Sequence, residues 1–489
     1  MQALLEDVDV LELFGDRDVE VTSVTHESRR VTPGSLFACV PGARTDGHDH
    51  AGEAVAAGAV ALLGERPLAL GVAEAIVPNT RVALGPVAAR LFGGPSRAMR
   101  CVGITGTNGK TTTTYLVEAI ARAAEERVGV VGTTGARIDG LAVPLEHTTP
   151  EAPDLQALLA RMRDADVGVV AMEVSSHALA QHRVDGTHFV VACFTNLSHD
   201  HLDFHGDLAS YFGAKSRLFS PAFTETAVVN LDDEHGRMLL LRAGSSGLRV
   251  VTYAIDDERA DVRATDIAVH REGTEFTLRD GVVGCSAVIE SSLLGRFNIA
   301  NALAAAATAR AIDIEFDAIV RGLGAEIVVP GRLESVLGGQ PFTVLVDYAH
   351  TPDALAHALT AARTIAAGHR VILVFGCGGD RDRDKRSAMG SVAASRSDLV
   401  FVTSDNSRSE SPEAIALEVL AGTERVGVDV LVELDRRAAI RAALAAATAG
   451  DVVLVAGKGH ESTQTAMGMT IPFDDRVVVR DELRGLSWS

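Results

Sequence analysis

The sequence predicts an α/β protein of three domains, and three observations predict it. Apolar runs of strand length alternate with stretches of helical spacing along most of the chain. Most of those runs end in polar or Gly-rich turns, as the carboxyl ends of strands in an open parallel sheet do. The 489 residues correspond to about three domains of ordinary size. The expected division is 1–97, 98–329 and 330–489. The first is a small α/β domain, and the second a larger domain with a glycine loop, a mostly parallel sheet and a small antiparallel part. The third is a Rossmann-like, doubly wound domain.

The first block contains "VTHESRRVTPGSLFACVPGARTDGHDHAGEAVAAGAVALLGE". It reads as short strands, Pro-Gly and Gly turns, then a small-residue helix. A Gly/Pro/Ser stretch, "LFGGPSRAMR", suits a boundary.

The second block opens on "MRCVGITGTNGKTTTTYLVEAIARAAEE", a buried strand, a glycine loop and an amphipathic helix. The strict template G-x-x-x-x-G-K-[ST] is missed, because Gly103 lies six positions before Gly109; the matching core is Gly106, Thr107, Asn108, Gly109, Lys110 and Thr111. The physics survives the mismatch. Backbone N–H groups at a helix N-terminus stabilise phosphate oxygens, a lysine reaches the β/γ-phosphates and a hydroxyl ligates Mg²⁺. A helix start rich in Thr for capping is the plainer alternative. "RVGVVGTTG", "DVGVVAMEVSS", "HFVVACFTNLSHDH" and "ETAVVNLDDEH" continue the strand pattern. Glu173 ends one such strand, where an NTPase needs an oxygen ligand for Mg²⁺. "NLSHDHLDFHG" carries His199, His201 and His205, so a zinc site is an open alternative, as is simple turn capping. "YFGAKSRLF" reads as an ordinary helix turn with Lys215 facing solvent. "DVRATDIAVHREGTEFTLRDGVVGCSAVI" alternates and predicts the antiparallel part.

The third block repeats the pattern in "FTVLVDYAHTPDAL", "HRVILVFGCGGDRDRDKR", "DLVFVTSDNSRSESPEAI" and "DVVLVAGKGHE". Arg381, Arg383, Lys385 and Arg386 form either a carboxylate or phosphate clamp or a solvated charged loop.

Composition limits the partners. Acidic residues outnumber basic ones 65 to 45, for a net charge of −20, which argues against nucleic acid. The five scattered cysteines lack C-x-x-C spacing and read as buried thiols in a reducing compartment. The acidic N-terminus lacks a basic n-region. No uncharged apolar run approaches the roughly 18 residues of a membrane helix. A soluble, cytoplasmic protein without membrane insertion is expected.

Taken together and in order, these motifs resemble the Mur ligases of peptidoglycan synthesis. "ESRRVTPGSLF", "GTNGKTTT", "HTTP", "TNLSHDHLDFHG", "YFGAKSRLF", "GRFNIANALAA", "PGRLE", "DYAHTPDAL", "GDRDRDKR", "SDNSR" and "GKGHE" carry the likeness over essentially the whole chain. The resemblance implies an ATP-dependent, ADP-forming amide ligase, within the branch that adds a diamino acid to UDP-N-acetylmuramoyl-L-alanyl-D-glutamate. It implies that Gly106 to Thr112, with Asn298, Arg332, Asp347 and His350, hold ATP. Ser28, Thr148, Thr149, Ser175, Gln181 and Arg183 would hold the uridine-nucleotide substrate. Thr111 and Glu173 would serve one Mg²⁺, and His201 with Lys215 a second; in this family that lysine is commonly carbamylated to N6-carboxylysine. Lys110, Glu173, His201 and Lys215 are the implied catalytic set. Arg381, Asp405, Asn406, Ser407, Arg408, Gly457 and Glu461 would read the incoming amino acid. Ser407 stands where the diaminopimelate enzymes usually carry Pro; Arg408 still suits a second carboxylate, which favours diaminopimelate over lysine or ornithine, and the meso form is expected with LL-diaminopimelate, lysine and ornithine as the alternatives. A monomer acting on small molecules is expected. A metal-dependent ATPase or hydrolase, a non-catalytic paralogue and another ligase of the superfamily are the rivals.

Overall fold

The computed structural model describes residues 1–42, 45–270, 272–423 and 427–486. Three separate sheets organise the chain, with a further short hairpin near its end.

The N-terminal sheet has five strands in the order Glu12–Phe14, Ala73–Ile76, Ala59–Gly64, Ser35–Ala38, Ser23–Thr25. All its pairings are parallel except that of Glu12–Phe14, which runs antiparallel along one edge. Its core is aliphatic and small, with Leu36, Ala38, Ala61, Leu63 and Ala75 all buried. The small-residue helix Ala51–Ala56 and the longer Thr80–Leu91 flank it.

Eleven strands build the central sheet. Their order is Cys285–Ser291, Thr274–Asp280, Val262–Val269, Arg249–Ala254, Thr224–Asn230, Phe189–Phe194, Arg100–Thr105, Val169–Glu173, Val128–Gly132, Gly135–Ile138, Leu141–Val143. Seven consecutive strands, from Val262–Val269 to Val128–Gly132, pair in parallel. Antiparallel strands extend both edges. The extension at Thr274–Ser291 follows the period-2 alternation of its sequence, whereas the hairpin at Gly135–Val143 is too short for such a signal. Helices Lys110–Ala123 and Arg296–Ala311 cover one face, packing Val117, Ile120, Leu303 and Ala306 against Val102, Ile104 and Val191. The strand Arg100–Thr105 lies between Val169–Glu173 and Phe189–Phe194, so the ends of those three strands meet at the glycine loop.

The C-terminal sheet runs Glu334–Ser335, Thr343–Asp347, Val452–Ala456, Val371–Phe375, Leu399–Val402, Asp429–Val432, parallel except at Glu334–Ser335. Both faces are covered, one by helices led by Pro352–Ala366 and the other by Arg436–Ala446 and Asp475–Gly485. Its central strands are accordingly near-continuous Val, Ile and Leu, as buried parallel strands must be. Cys39, Cys101, Cys193 and Cys377 are buried free thiols, and Cys285 is exposed. Among the described residues no helix is long and apolar enough to cross a membrane.

Candidate active site

The glycine loop joins the strand Arg100–Thr105 to the helix Lys110–Ala123. Gly106 has φ +147° and Gly109 φ +87°, backbone that L side chains rarely adopt. Any Cβ would also collide, with Thr195 Oγ1 at Gly106 and with Asn301 Oδ1 at Gly109. Thr195 Oγ1 donates to the Asn108 carbonyl at 2.6 Å, and the Asn108 amide donates to Asn196 Oδ1 at 2.9 Å. The loop is thus held open from below by the neighbouring strand end. Lys110 Nζ folds over it, donating to the Gly106 and Thr107 carbonyls at 2.8 Å each. Burial pulls this amine below its ordinary pKa, against the attraction of Glu173 and Asp200.

Glu173 ends the adjacent strand in register with Ile104 and is 1% exposed. Its Oε2 accepts from Thr111 Oγ1 at 3.1 Å and from Thr133 Oγ1 at 3.0 Å, and its Oε1 from the Thr133 amide at 2.9 Å. Thr133 has no motif of its own in the sequence; only its place at the end of Val128–Gly132 brings it here. A threonine hydroxyl beside a buried carboxylate supplies the hard oxygen donors that suit Mg²⁺. Arg332, from the C-terminal domain, donates Nη2 to Thr111 Oγ1 at 3.1 Å.

Lys215 does not face solvent. The helix Leu208–Ser216 turns it inward, and it is 1% exposed. Its Nζ donates to the Gly106 carbonyl at 2.7 Å and lies 4.4 Å from the Tyr211 ring centroid. Among the described residues it has no ion pair. Burial and the nearby Lys110 charge push its pKa well below the ordinary lysine value. His201 sits at φ +56°, with Nε2 3.3 Å from Asp200 Oδ2. Burial lowers its pKa to about 3, leaving a neutral imidazole. His177 packs edge-on against the rings of both His201 and His205. Among the described residues no group of three or more His, Cys, Asp or Glu could hold a metal ion, so the H-x-H spacing gains no zinc geometry.

Toward the N-terminal domain, Thr149 Oγ1 donates to the Glu173 carbonyl at 2.9 Å and accepts from the Ser175 amide at 3.1 Å. Thr148 Oγ1 is 3.2 Å from Thr133 Oγ1. Arg183 donates to the Thr149 carbonyl at 3.2 Å and to Gln181 Oε1 at 2.6 Å, and its Nε lies 2.9 Å from Glu151 Oε1. These five residues form one wall beside Glu173. Ser28 shares no hydrogen bond with them; it opens the short turn Ser28–Arg30, whose Arg30 forks onto Asp154 at 3.0 and 2.6 Å.

The C-terminal domain presents its own strand ends. Asp347 accepts from the Leu333 and Ala349 amides at 2.7 and 2.8 Å, while burial raises its pKa. Arg332 lies 4.7 Å over the Tyr348 ring, and His350 Nδ1 is 2.9 Å from the Tyr348 carbonyl. Asn298 is further back, donating to Leu294 and accepting from Asn301 at 2.8 and 2.9 Å. It therefore reaches the loop through Asn301, the residue packed against Gly109.

A second constellation lies on the same sheet. Asn406 donates to Glu461 Oε2 at 2.7 Å, and Lys458, fully buried, donates to Asn406 Oδ1 at 3.3 Å and Glu461 Oε2 at 3.2 Å. Lys458 is a functional candidate that the motif "GKGHE" contains but that sequence reasoning passed over. Gly457, at φ +115°, has Asp405 Oδ2 2.7 Å from where a Cβ would stand. Ser407 is buried with its hydroxyl unpartnered. Arg408, at φ +53°, donates to the Gly379 and Asn406 carbonyls. Arg383 and Arg386 are consumed by Glu410 and Glu418. Among the described residues Arg381 and Arg408 make no ion pair, although the Arg408 charge is felt by the Asp380 carboxylate.

Comparison with known proteins matches this arrangement. Three family models fit the chain: the Mur ligase family catalytic domain over residues 20–91, the Mur ligase middle domain over 104–309, and the Mur ligase glutamate ligase domain over 331–459. The UDP-N-acetylmuramoyl-L-alanyl-D-glutamate–2,6-diaminopimelate ligase of Streptomyces avermitilis is 45% identical, covering 96% of this chain and 94% of its own. That of Alkaliphilus metalliredigens is 42% identical, over 98% and 96%. A solved structure of a ligase of the same name superposes with a TM-score of 0.68 at 35% identity, covering 95% of each chain. MurF from Acinetobacter baumannii shares the fold, with a TM-score of 0.67 at 20% identity over 93% and 95%. The chain belongs to the Mur ligase family.

Proposed function

We propose that this protein is the ATP-dependent, ADP-forming ligase that joins 2,6-diaminopimelate, in its meso form, to UDP-N-acetylmuramoyl-L-alanyl-D-glutamate. The observation that carries the reading is the meeting of three loop sets. A phosphate loop, an anion-holding wall around Arg183, and a loop with two unpaired arginines all open toward the carboxyl ends of two parallel sheets. That arrangement suits a phosphoryl donor, a carboxylate acceptor and a dicarboxylic amine. We assign them to the expected domains, 1–97 for the uridine nucleotide, 98–329 for ATP and 330–489 for the amino acid.

In this mechanism the glycine loop amides and Lys110 hold the ATP phosphates. The D-glutamate γ-carboxylate attacks the γ-phosphorus, forming an acyl phosphate and releasing ADP. The free amine of the incoming amino acid then attacks the acyl carbon, an amide forms and phosphate leaves. Thr149, Ser175, Gln181 and Arg183 orient the carboxylate, so that binding energy fixes the near-attack geometry. Thr111 and Glu173 would hold one Mg²⁺, which offsets the repulsion between carboxylate and phosphate when bound. His201 and Lys215 would serve the second. An ammonium has no lone pair for a metal, but burial pushes the Lys215 pKa down, which favours loss of its proton; the free amine would add to CO₂, and the N6-carboxylysine so formed would supply carboxylate oxygens. Asn298, Arg332, Asp347 and His350 complete the nucleotide site, Asn298 through Asn301. Closing the C-terminal domain brings the amine and excludes water. Asp405, Asn406 and Glu461 face the ammonium groups of the amino acid, while Arg381 and Arg408 take its carboxylates. We assign a monomer, working in the cytoplasm where ATP is supplied.

The test is phosphate release and product mass with the uridine nucleotide, ATP and Mg²⁺. Meso-diaminopimelate, LL-diaminopimelate, lysine and ornithine are offered separately. Turnover with meso-diaminopimelate alone is expected. ATP consumption without any amide product would favour the hydrolase reading, and turnover with lysine alone would remove the carboxylate-reading role.

A further inference from the structure

The loop Gly378–Arg386 contains one cation that the arrangement above leaves idle. Arg383 and Arg386 are paired with Glu410 and Glu418, and Arg381 is exposed at the rim. Lys385, between them, is only 9% exposed. Among the described residues it has neither a hydrogen bond nor an ion pair. It occupies the first turn of the helix Asp384–Arg396, where the helix dipole disfavours a cation. Arg386, one residue on, shows that this helix can satisfy a buried cation with carboxylates when the role is structural.

What surrounds Lys385 is the reaction crevice. Three residues back, Asp382 Oδ2 meets His199 Nε2 of the central domain at 3.2 Å, so the loop docks onto "NLSHDH". Asp382 Oδ1 also accepts the Asp384 amide at 3.0 Å, fixing the start of the helix against that contact. Asn108 of the glycine loop meets Asp353 Oδ2 at 3.0 Å across the same seam. Asp200, 7% exposed, feels the charges of both Lys385 and Lys110. The His350 pKa is lowered, by burial first and then by the Lys385 charge. Lys110 approaches Asp200 from the glycine loop and Lys385 from the facing domain.

We infer that Lys385 is a further catalytic residue, whose ammonium contacts the phosphoryl group as it passes from ATP to the substrate carboxylate. The inference rests on the ligase reading and deepens it. Asp200 supplies a counter-charge without an ion pair. With both substrates bound, the phosphoryl oxygens become the acceptors that Lys385 lacks. Lys110 then neutralises charge from below and Lys385 from above. Because the second cation arrives only with the C-terminal domain, phosphoryl transfer is coupled to closure, and the acyl phosphate forms only where water is excluded.

Rapid-quench ADP formation tests this, using the full-length enzyme with ATP, Mg²⁺ and the uridine nucleotide but no amine. Lys385→Met should slow this step by about 100-fold or more, while the dissociation constants for ATP and the uridine nucleotide stay at wild-type values. Lys385→Arg, which keeps the charge, should retain an intermediate rate. Lys385→Gln carries the same expectation as the Met variant and replaces it should that variant fail to fold. Wild-type ADP formation in the Met or Gln variant, with a raised KM for diaminopimelate instead, would make Lys385 an amino-acid contact and overturn the inference alone. A wild-type enzyme that yields no amide product with any amine would overturn the ligase reading, and this inference with it.

Discussion

Removing the Arg408 guanidinium should separate diaminopimelate from lysine. Arg408 holds φ +53° through two backbone hydrogen bonds, its amide to the Thr465 carbonyl at 3.0 Å and the Met467 amide to its own carbonyl at 2.7 Å. Arg408→Ala leaves both in place, so the loop keeps its course. The side chain donates Nη1 to two carbonyls, Gly379 at 2.5 Å and Asn406 at 3.5 Å, and has no carboxylate partner among the described residues. Its charge acts on Asp380 without an ion pair and remains available to the ligand. A hydrogen bond to a charged group contributes about 1.5–3 kcal/mol, which at 1.36 kcal/mol per decade is about 10- to 150-fold in kcat/KM. The guanidinium is half-buried, so solvent screening favours the lower half of that range. Lysine has no second carboxylate, and its residual kcat/KM should not change. Steady-state kinetics with each amine, at saturating ATP and uridine nucleotide, measure both. An equal loss for both amines would mean that Arg408 shapes the loop rather than reading the ligand.

Three further outcomes are expected. Lys215→Ala should lower ligation by about 100-fold or more, and short carboxylates such as formate should restore part of it. Undiminished activity would remove the carbamate role. Arg436 and Asp475 form a fully buried pair at 2.7 Å, both 0% exposed. Arg436→Met should therefore destabilise the protein by about 3–5 kcal/mol in urea titrations, because Asp475 is left buried and unpaired; a cost under 1 kcal/mol would show that the pair is dispensable. Glu410 is held at about 2 by its hydrogen bonds to Arg386, below the ordinary 4.5. The folded value is the lower one, so its contribution is full above the unfolded pKa and fades as pH falls from about 4.5 through about 2. Comparing urea midpoints of wild type and Glu410→Gln at pH 6 and pH 3 should show the gap narrowing; a gap that widens on acidification would contradict the sign.

The sequence made legible what neighbouring residues determine, and it hid what folding brings together. The strand Arg100–Thr105, the helix Lys110–Ala123 and the polar end at Glu173 all follow from local periodicity. So do the buried Val/Ile/Leu strands of the C-terminal sheet, because a strand covered on both faces cannot carry alternating polar residues. The hairpin at Gly135–Val143 escaped because three or four residues per strand hold too few alternations. Lys215 marks the sharper limit. On its own helix it reads as a solvent-facing cation, yet the Gly106 carbonyl, 109 residues away in sequence, is what it meets. Thr133 and Lys458 were missed for the same reason: each gains its role only from a strand end that topology sets beside it. Ser407 runs the other way. Its departure from the family pattern was visible at once, but only burial shows that its hydroxyl lacks a partner. A proline there would fix φ and remove that unsatisfied group. The serine instead sets a buried hydroxyl beside Arg408, which no local pattern in the sequence reveals.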